Sequence, residues 1–293
     1  MLSRKIVFTK KLPFPYKYAD LYTLEPGKLP VRMTNGSDAE PPYDSAGGDF
    51  SGDGQFLVFD SSRDTGLDSE IYKIKLADPS VVMRLTTTVG NEDCSWNRSS
   101  GVIAFSSERN GSNGSFGAFT MEPDGTNQIE IIPGQQREIL WPKWNSVGNK
   151  IVFVEEFTRM DVRVFWVDIS DFDNKHYLTS LHPDNTPTFS PPLSSTNEEK
   201  VLFPRKTIVN GAVEKTDLYT INLDGTGISN ITNAPAGTHF ECPSWSPDGR
   251  FIIFSKKVGA ATFQLYEMEV AGGSFTQITN DSGFDHFAPA YVP

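Results

Sequence analysis

A unit of roughly 46 to 51 residues recurs six times along this chain, and no other feature limits the fold as strongly. Its clearest copy runs from Phe240 to Asn280 and reads FECPSWSPDGRFIIFSKKVGAATFQLYEMEVAGGSFTQITN. An opening segment, Cys242 to Trp245, enters a turn at Ser246-Pro247-Asp248-Gly249, where proline presets φ, aspartate bonds locally and glycine accepts a left-handed backbone. Three short runs rich in Ile, Phe, Tyr, Val and Thr follow: Phe251 to Ser255, Gln264 to Val270 and Phe275 to Thr279. The glycine pair after Ala271 joins the last two. Four antiparallel strands in a meander make one propeller blade.

Four residue columns carry the repeat. An apolar triplet ending in phenylalanine marks the second strand at Phe8, Phe59, Phe105, Phe153, Phe203 and Phe254. An aromatic residue marks the third at Tyr22, Tyr72, Phe119, Phe165, Tyr219 and Tyr266. A Met/Leu/Ile residue, followed by threonine in five copies, marks the fourth: Thr34, Thr86, Thr179, Thr232 and Thr279. The first strand ends on Phe50, Trp96, Trp144, Phe189, Trp245 and Tyr291. Burial is expected for the second-strand phenylalanines and for Trp96, Trp144 and Trp245.

The first copy lacks an opening strand and the last segment, His286 to Val292, lacks the strands after it. The expectation is therefore an all-β, six-bladed propeller with four antiparallel strands per blade. The carboxy-terminal strand completes blade 1 and removes the sheet edges. The blades would span 286–293 with 1–36, 44–87, 92–133, 140–180, 185–233 and 240–280, forming one domain over residues 1–293.

Charge narrows the partners. The formal net charge of -11, with no Lys/Arg block, argues against nucleic acid and anionic membrane surfaces. The apolar runs are too short for a helix to cross a bilayer. Cys94 and Cys242 stand three repeats apart, which disfavours a mutual disulfide and fits a reducing compartment. With no signal peptide at the start, a cytoplasmic protein is expected, or a periplasmic or secreted one if a leader has been removed. A monomer is expected.

The stretches WSPDGRFIIFS, FDSSRDTGLDSEIYKIKL and INLDGTGISNITN resemble the repeat of TolB-type β-propellers. They are also similar to the propeller domains of prolyl oligopeptidases and dipeptidyl peptidases. The resemblance covers all six copies and implies the fold; its motifs are turn residues and core columns, so it implies little about chemistry. Two departures stand out: Asn145-Ser146-Val147-Gly148 replaces the Pro-Asp-Gly turn, and Pro191 to Glu199 is inserted at that turn one repeat later. With the six copies filling residues 1–293, the extra amino-terminal domain that TolB carries is not expected within them. A G-x-S-x-G nucleophile elbow is lacking, so the peptidase activity is not implied.

Strand order sorts the loops onto two faces. Hairpins of the Pro-Asp-Gly kind occupy one; the inter-blade crossovers occupy the other, and variable loops are where scaffolds tend to carry function. The crossover face receives Asp44, Glu92, Asp93, Glu138, Asp184, Glu241 and Asp285, with His239 and His286. The ligand site is expected at the crossover-face mouth of the axial channel, built from His239, Glu241, Asp285, His286, Asp44, Glu92, Glu138 and Trp141. Neighbouring carboxylates should raise the proton affinity of the two imidazoles, and His239, Glu241 and His286 could hold a divalent metal. The same segments also read as a solvated acidic funnel without metal. Lys10, Lys11, Arg63, Arg109, Arg205, Lys206, Lys256 and Lys257 either pair with these acids or form a rim for a mixed-charge partner. Phe14, Tyr16, Tyr18, Trp141 and Phe240 could stack on a ring or sugar. The Gly-rich stretch at Asn110 has no following helix and no lysine-serine ending, so it is a loop. Two functions are compatible with this pattern. One is a non-catalytic scaffold that binds a protein, a peptide or a small polar ligand. The other is a metal-assisted lyase or hydrolase acting on a polar, carbohydrate-like substrate.

Overall fold

The computed structural model describes residues 2–11, 18–66, 68–88, 90–111, 114–135, 137–192, 198–271 and 273–293. Phe14 and Tyr16 lie outside them. In chain order the first strands are β1 (Ile6–Lys11), β2 (Ala19–Leu24) and β3 (Val31–Arg32). Next come β4 (Ser45–Phe50), β5 (Phe56–Ser61), β6 (Glu70–Lys75) and β7 (Asp78–Arg84), then β8 (Asn91–Trp96), β9 (Ile103–Ser107), β10 (Gly117–Met121) and β11 (Ile129–Ile132). The sequence continues with β12 (Glu138–Trp144), β13 (Lys150–Thr158), β14 (Asp161–Asp168) and β15 (Asp171–Tyr177). The last two repeats supply β16 (Thr188–Phe189), β17 (Lys200–Val209), β18 (Ala212–Asn222) and β19 (Ser229–Asn230), then β20 (Thr238–Trp245), β21 (Phe251–Val258), β22 (Gln264–Glu269), β23 (Thr276–Gln277) and β24 (Asp285–Tyr291). A 3-10 turn, Gly36–Asp38, follows β3.

The expectation of six separate four-stranded blades needs correcting. Four isolated four-stranded blades form, ordered β24-β1-β2-β3, β4-β5-β6-β7, β8-β9-β10-β11 and β12-β13-β14-β15. The fifth and sixth repeats are instead one eight-stranded sheet, ordered β16-β17-β18-β20-β21-β22-β23 with β19 on β18. Hairpin length is the cause. The β17–β18 hairpin extends past its neighbours, and its Thr216 meets His239 at the start of β20 in a parallel pairing. Gly237 N donates to Glu214 O at 2.9 Å beside it. Closure is made by β24, which pairs antiparallel with β1 from Tyr291 opposite Ile6 to Asp285 opposite Lys11.

Strict alternation explains why the triplets are wholly apolar. In β5, Leu57 and Phe59 join the cluster shared with β1 and β2, whereas Val58 faces the cluster shared with β8 and β9. In β13, Ile151 and Phe153 face backward and Val152 and Val154 forward. A strand buried on both faces has no place for a polar residue. Each second-strand phenylalanine stands directly opposite the third-strand aromatic, as in Phe59↔Tyr72 and Phe254↔Tyr266. Those six ring pairs lie 5.4 to 6.4 Å apart, the spacing of favourable aromatic contacts.

The threonine column has a separate job. Where the short outer strand ends, the Oγ1 of Thr34, Thr86, Thr179, Thr232 and Thr279 accepts the N–H of Leu21, Ile71, Val164, Leu218 and Leu265 at 2.9 to 3.0 Å. The hydroxyl thus replaces a ladder bond that the outer strand no longer supplies.

Candidate functional site

The inner strands β24, β4, β8, β12, β16 and β20 surround the axis, and a residue with positive φ stands three positions before the terminal aromatic of each. These are Gly47, Asp93, Trp141, Thr186, Cys242 and Ala288, with φ between 30° and 66°. Pairing slips at this level in β4, β8, β12, β20 and β24, which is the signature of a β-bulge. Proline follows the bulge residue in four copies, Pro142, Pro187, Pro243 and Pro289, and supplies no N–H for a ladder bond. Five of the six left-handed residues are not glycine, so the ring stores strain of a kind that clusters at functional sites.

All six of these positive-φ residues line an axial cavity of about 400 Å³. It runs from Asp60, Glu92 and Asp93 to the hairpin-face turn residues Ser146, Pro191, Ser246 and Pro247. Trp96, Trp141, Trp144 and Trp245 form much of the wall. Trp144 is only half-buried, whereas Trp96 and Trp245 are buried although they line the same space.

One sector of the wall is acidic. Burial, followed by the charge of Glu92, pushes the Asp60 carboxyl up to about 8. Burial and then Glu92 and Asp60 hold Asp93 well above the usual carboxylate range. Glu92 is raised by burial and by Glu138 and Glu108. Asp49 behaves differently. Burial opposes its charge, but Arg98, Lys143 and the N–H groups of Trp96 and Phe50 outweigh it, so Asp49 titrates low. Its Oδ2 accepts from Trp96 N and Ser95 Oγ, each at 3.1 Å. Both cysteines are unbridged, and burial raises both thiols, that of Cys242 to about 12. Neither is a ready nucleophile at neutral pH.

The opposite sector leaves donors unanswered. Trp144 Nε1, Thr186 Oγ1 and Trp245 Nε1 are buried, belong to cavity-lining residues and have no protein partner. Buried polar atoms are seldom left so.

Of the residues expected to form the site, Glu92 and Trp141 line this cavity; His239, Glu241, Asp285, His286, Asp44 and Glu138 do not. His286 is 2% exposed, sits edge-on to Phe8 with ring centres 5.4 Å apart, and has its Nδ1 3.1 Å from Gln264 Oε1. Burial and Lys10 lower it to about 4, the reverse of the expected rise. His239 is lowered too, by burial and then by Lys257 and Lys206; its Nδ1 lies 3.4 Å from Thr216 Oγ1. Glu241 is raised by burial despite the same two lysines. Asp285 Oδ1 accepts Phe263 N at 2.8 Å, Asp44 Oδ1 accepts Ala19 N at 2.7 Å, and Glu138 is raised by burial and Glu156. Among the described residues no group of three or more His, Cys, Asp and Glu is placed to hold a metal, so His239, Glu241 and His286 do not assemble as one.

The basic column is largely spoken for. Arg63, Arg109 and Arg205 lie over the aromatic pairs of their own repeats, and Lys256 lies over Tyr266, Phe240 and Phe275. Lys10 reaches Asp281 at 2.6 Å, and Arg205 holds the fully buried Asp184 through two bonds of 2.7 and 2.9 Å. Phe240 is buried against Phe254 and Phe275, which makes it core and not a stacking platform.

The sequence profile of the TolB beta propeller domain matches residues 120–292, more than half of the chain. The chain belongs to the TolB β-propeller family. The Tol-Pal system protein TolB of Francisella tularensis subsp. mediasiatica (strain FSC147) is 41% identical over 51 residues, a match spanning 17% of this chain and 11% of that protein. Among solved structures, TolB from Acinetobacter baumannii superposes with a TM-score of 0.76 at 14% identity, over 99% of this chain and 67% of that one. A putative TolB from Agrobacterium tumefaciens gives 0.71 at 13% identity, over 99% of both chains. At such identities the superpositions speak for the fold alone.

Proposed function

We propose that this TolB-family propeller is a non-catalytic scaffold that takes a polar partner, a peptide segment of another protein, in its axial cavity. One observation carries the proposal: an axial cavity of about 400 Å³, ringed by strained backbone, is lined by four tryptophans together with Asp49, Asp60, Asp93 and Lys143. A peptide brings both apolar side chains for the indoles and backbone polar groups for the charged sector. The Francisella relative is a Tol-Pal system protein, which favours a protein partner. The raised thiols of Cys94 and Cys242 speak against nucleophilic chemistry.

The test is selection of a displayed random heptapeptide library on the full chain, repeated on Ser244→Trp and Thr188→Phe, which fill the cavity from two different inner strands. Enriched peptides should bind the parent at micromolar Kd and lose at least tenfold on whichever plugged variant retains a cooperative melt. No enrichment on the parent, or equal binding to parent and plugged protein, would sink the proposal.

A further inference from the structure

The fourth repeat departs from the others in charge as well as in its turn. Glu155 occupies the second-strand position of Lys10, Arg205 and Lys256, and its cations arrive from other elements. Arg137 Nη1 and Lys175 Nζ lie 3.4 and 3.3 Å from Glu155 Oε1. All three side chains border a second cavity, of about 370 Å³, between β11 and β15. Ile132 and Ile139 are buried in its floor, and Pro133, Gln135, Arg137 and Asp173 are exposed around it, so it opens to solvent. From its rim a corner of exposed groups runs outward by direct contact. The Arg137 guanidinium lies 4.0 Å from the centre of the Phe157 ring, and that of Arg163 lies 3.8 Å from the same ring. Arg163 donates to Asp161 through two bonds of 2.9 and 2.6 Å, and Asp161 Oδ1 accepts Leu181 N at 3.0 Å. Leu181 has φ 57° and is 73% exposed; Met160, in the turn joining β13 to β14, is 49% exposed.

We infer that this corner docks an acidic segment of a partner protein, with one aliphatic side chain of that segment seated in the cavity between β11 and β15. No residue of the corner lines the axial cavity. Four cations stand here, Arg137, Arg159, Arg163 and Lys175, against three carboxylates, Glu155, Asp161 and Asp173, on a chain whose net charge is -11. Glu155 and Asp161 are already engaged, the first by Arg137, Lys175 and Tyr177 and the second by Arg163 and Leu181 N. The guanidiniums keep donors to spare. Arg137 makes one bond at 3.4 Å with its side chain 49% exposed, and Arg159 is exposed with no hydrogen bond or ion pair among the described residues. Stacking on Phe157 orients two guanidiniums in advance, and their paired N–H groups match a carboxylate. Exposed Met160, Leu181 and Tyr177 lie beside them, the mixture of arginine, methionine and aromatic groups that interfaces favour. The left-handed backbone that displays Leu181 is strain of a kind that collects at binding sites. Asp173, on the β15 side of the cavity, repels an anion, so the partner's carboxylates go to the arginines and its apolar anchor to the isoleucine floor.

The heptapeptides selected on the full chain are resynthesised with a fluorescent label and titrated into the parent and into Arg137→Gln, Arg163→Gln and Ser244→Trp. One class should combine Asp or Glu with Leu, Ile or Met. That class should lose at least tenfold in affinity on each arginine variant, keep its affinity on Ser244→Trp, and weaken several-fold as salt rises from about 50 mM to about 300 mM. Within it, exchanging the acids for their amides, or the aliphatic residue for alanine, should each lose at least tenfold. Arg137→Gln leaves Glu155 with Lys175 and Tyr177, so its thermal melt should stay cooperative, and it decides the matter even where another variant unfolds. The absence of any acidic, aliphatic class, or equal binding of that class to the parent and Arg137→Gln, overturns the docking surface. The axial site is judged separately, by the peptides that the filled cavity rejects.

Discussion

The bodies of the blades and the ring of inner strands follow opposite rules. In the bodies every recurring residue is answered: phenylalanine by an aromatic, the aromatic pair by a cation, the orphaned third-strand N–H by threonine. Even the deviant fourth repeat is answered. Its Glu155 stands where the first, fifth and sixth repeats carry Lys10, Arg205 and Lys256, and it accepts from Arg137, Lys175 and Tyr177. The inner ring is left-handed at six positions and borders carboxyls that resist ionisation. Stability is concentrated in the first region, and the axial site belongs to the second.

The largest expected effect belongs to the bodies. Phe59→Ala removes a fully buried ring from the cluster that joins β5 to β1 and from its contact with Tyr72. It should cost about 3 to 5 kcal/mol of unfolding free energy in a denaturant titration. Trp141→Ala, in the inner ring, should cost clearly less, because that ring is half-exposed to the cavity. Equal losses would erase the distinction between the regions.

Titration separates the regions by sign. His286, on the inner strand β24 but packed beneath Phe8 away from the cavity, is held neutral to about 4, below its unfolded value of about 6.5. As pH falls through that window the unfolded chain gains a proton that the folded one refuses, so stability declines. Asp60, in the cavity wall, keeps its proton to about 8, far above its unfolded value of about 3.9. Its contribution is complete below the lower value and is lost as pH rises through the upper one. Melting temperatures at pH 5, 6.5 and 8 should show Asp60→Asn gaining most over the parent at pH 8. His286→Gln should flatten the acid flank. A gain for Asp60→Asn that is largest at pH 5 would contradict this assignment.

The repeat columns are legible because they are local chemistry repeated in register: a triplet, an aromatic, a threonine, a turn. What the residues do not announce is depth. Chain position groups His286 with acids, yet it lies under Phe8 and Gln264, where desolvation outweighs neighbouring charge. Arg63 and Arg109 have the sequence positions of a rim but lie on their own aromatic pairs. The union of the fifth and sixth repeats depends on how far one hairpin extends, which composition does not encode. The bulge ring did leave a trace. Proline two residues before the inner aromatic, in Trp141-Pro142-Lys143-Trp144 and three further copies, forbids a ladder bond at one level of each strand.

The smallest effect sharpens the comparison most cleanly, because one substitution gives opposite results in the two regions. Ala288 has φ 46° in the bulge of β24, a conformation that costs an L-residue about 1 to 2 kcal/mol. Ala104, fully buried in the regular strand β9, has no such strain. Ala288→Gly trades relief of that strain against about 0.5 to 1 kcal/mol of backbone entropy, leaving stability unchanged or slightly raised. Ala104→Gly pays the same entropy and also forfeits a buried methyl worth about 0.8 kcal/mol. Thermal melts of the two variants should therefore diverge, with Ala104→Gly lower by a few degrees and Ala288→Gly at or above the parent. A matching fall in both would mean that the inner ring carries no strain, and the strongest physical distinction between bodies and ring would be gone.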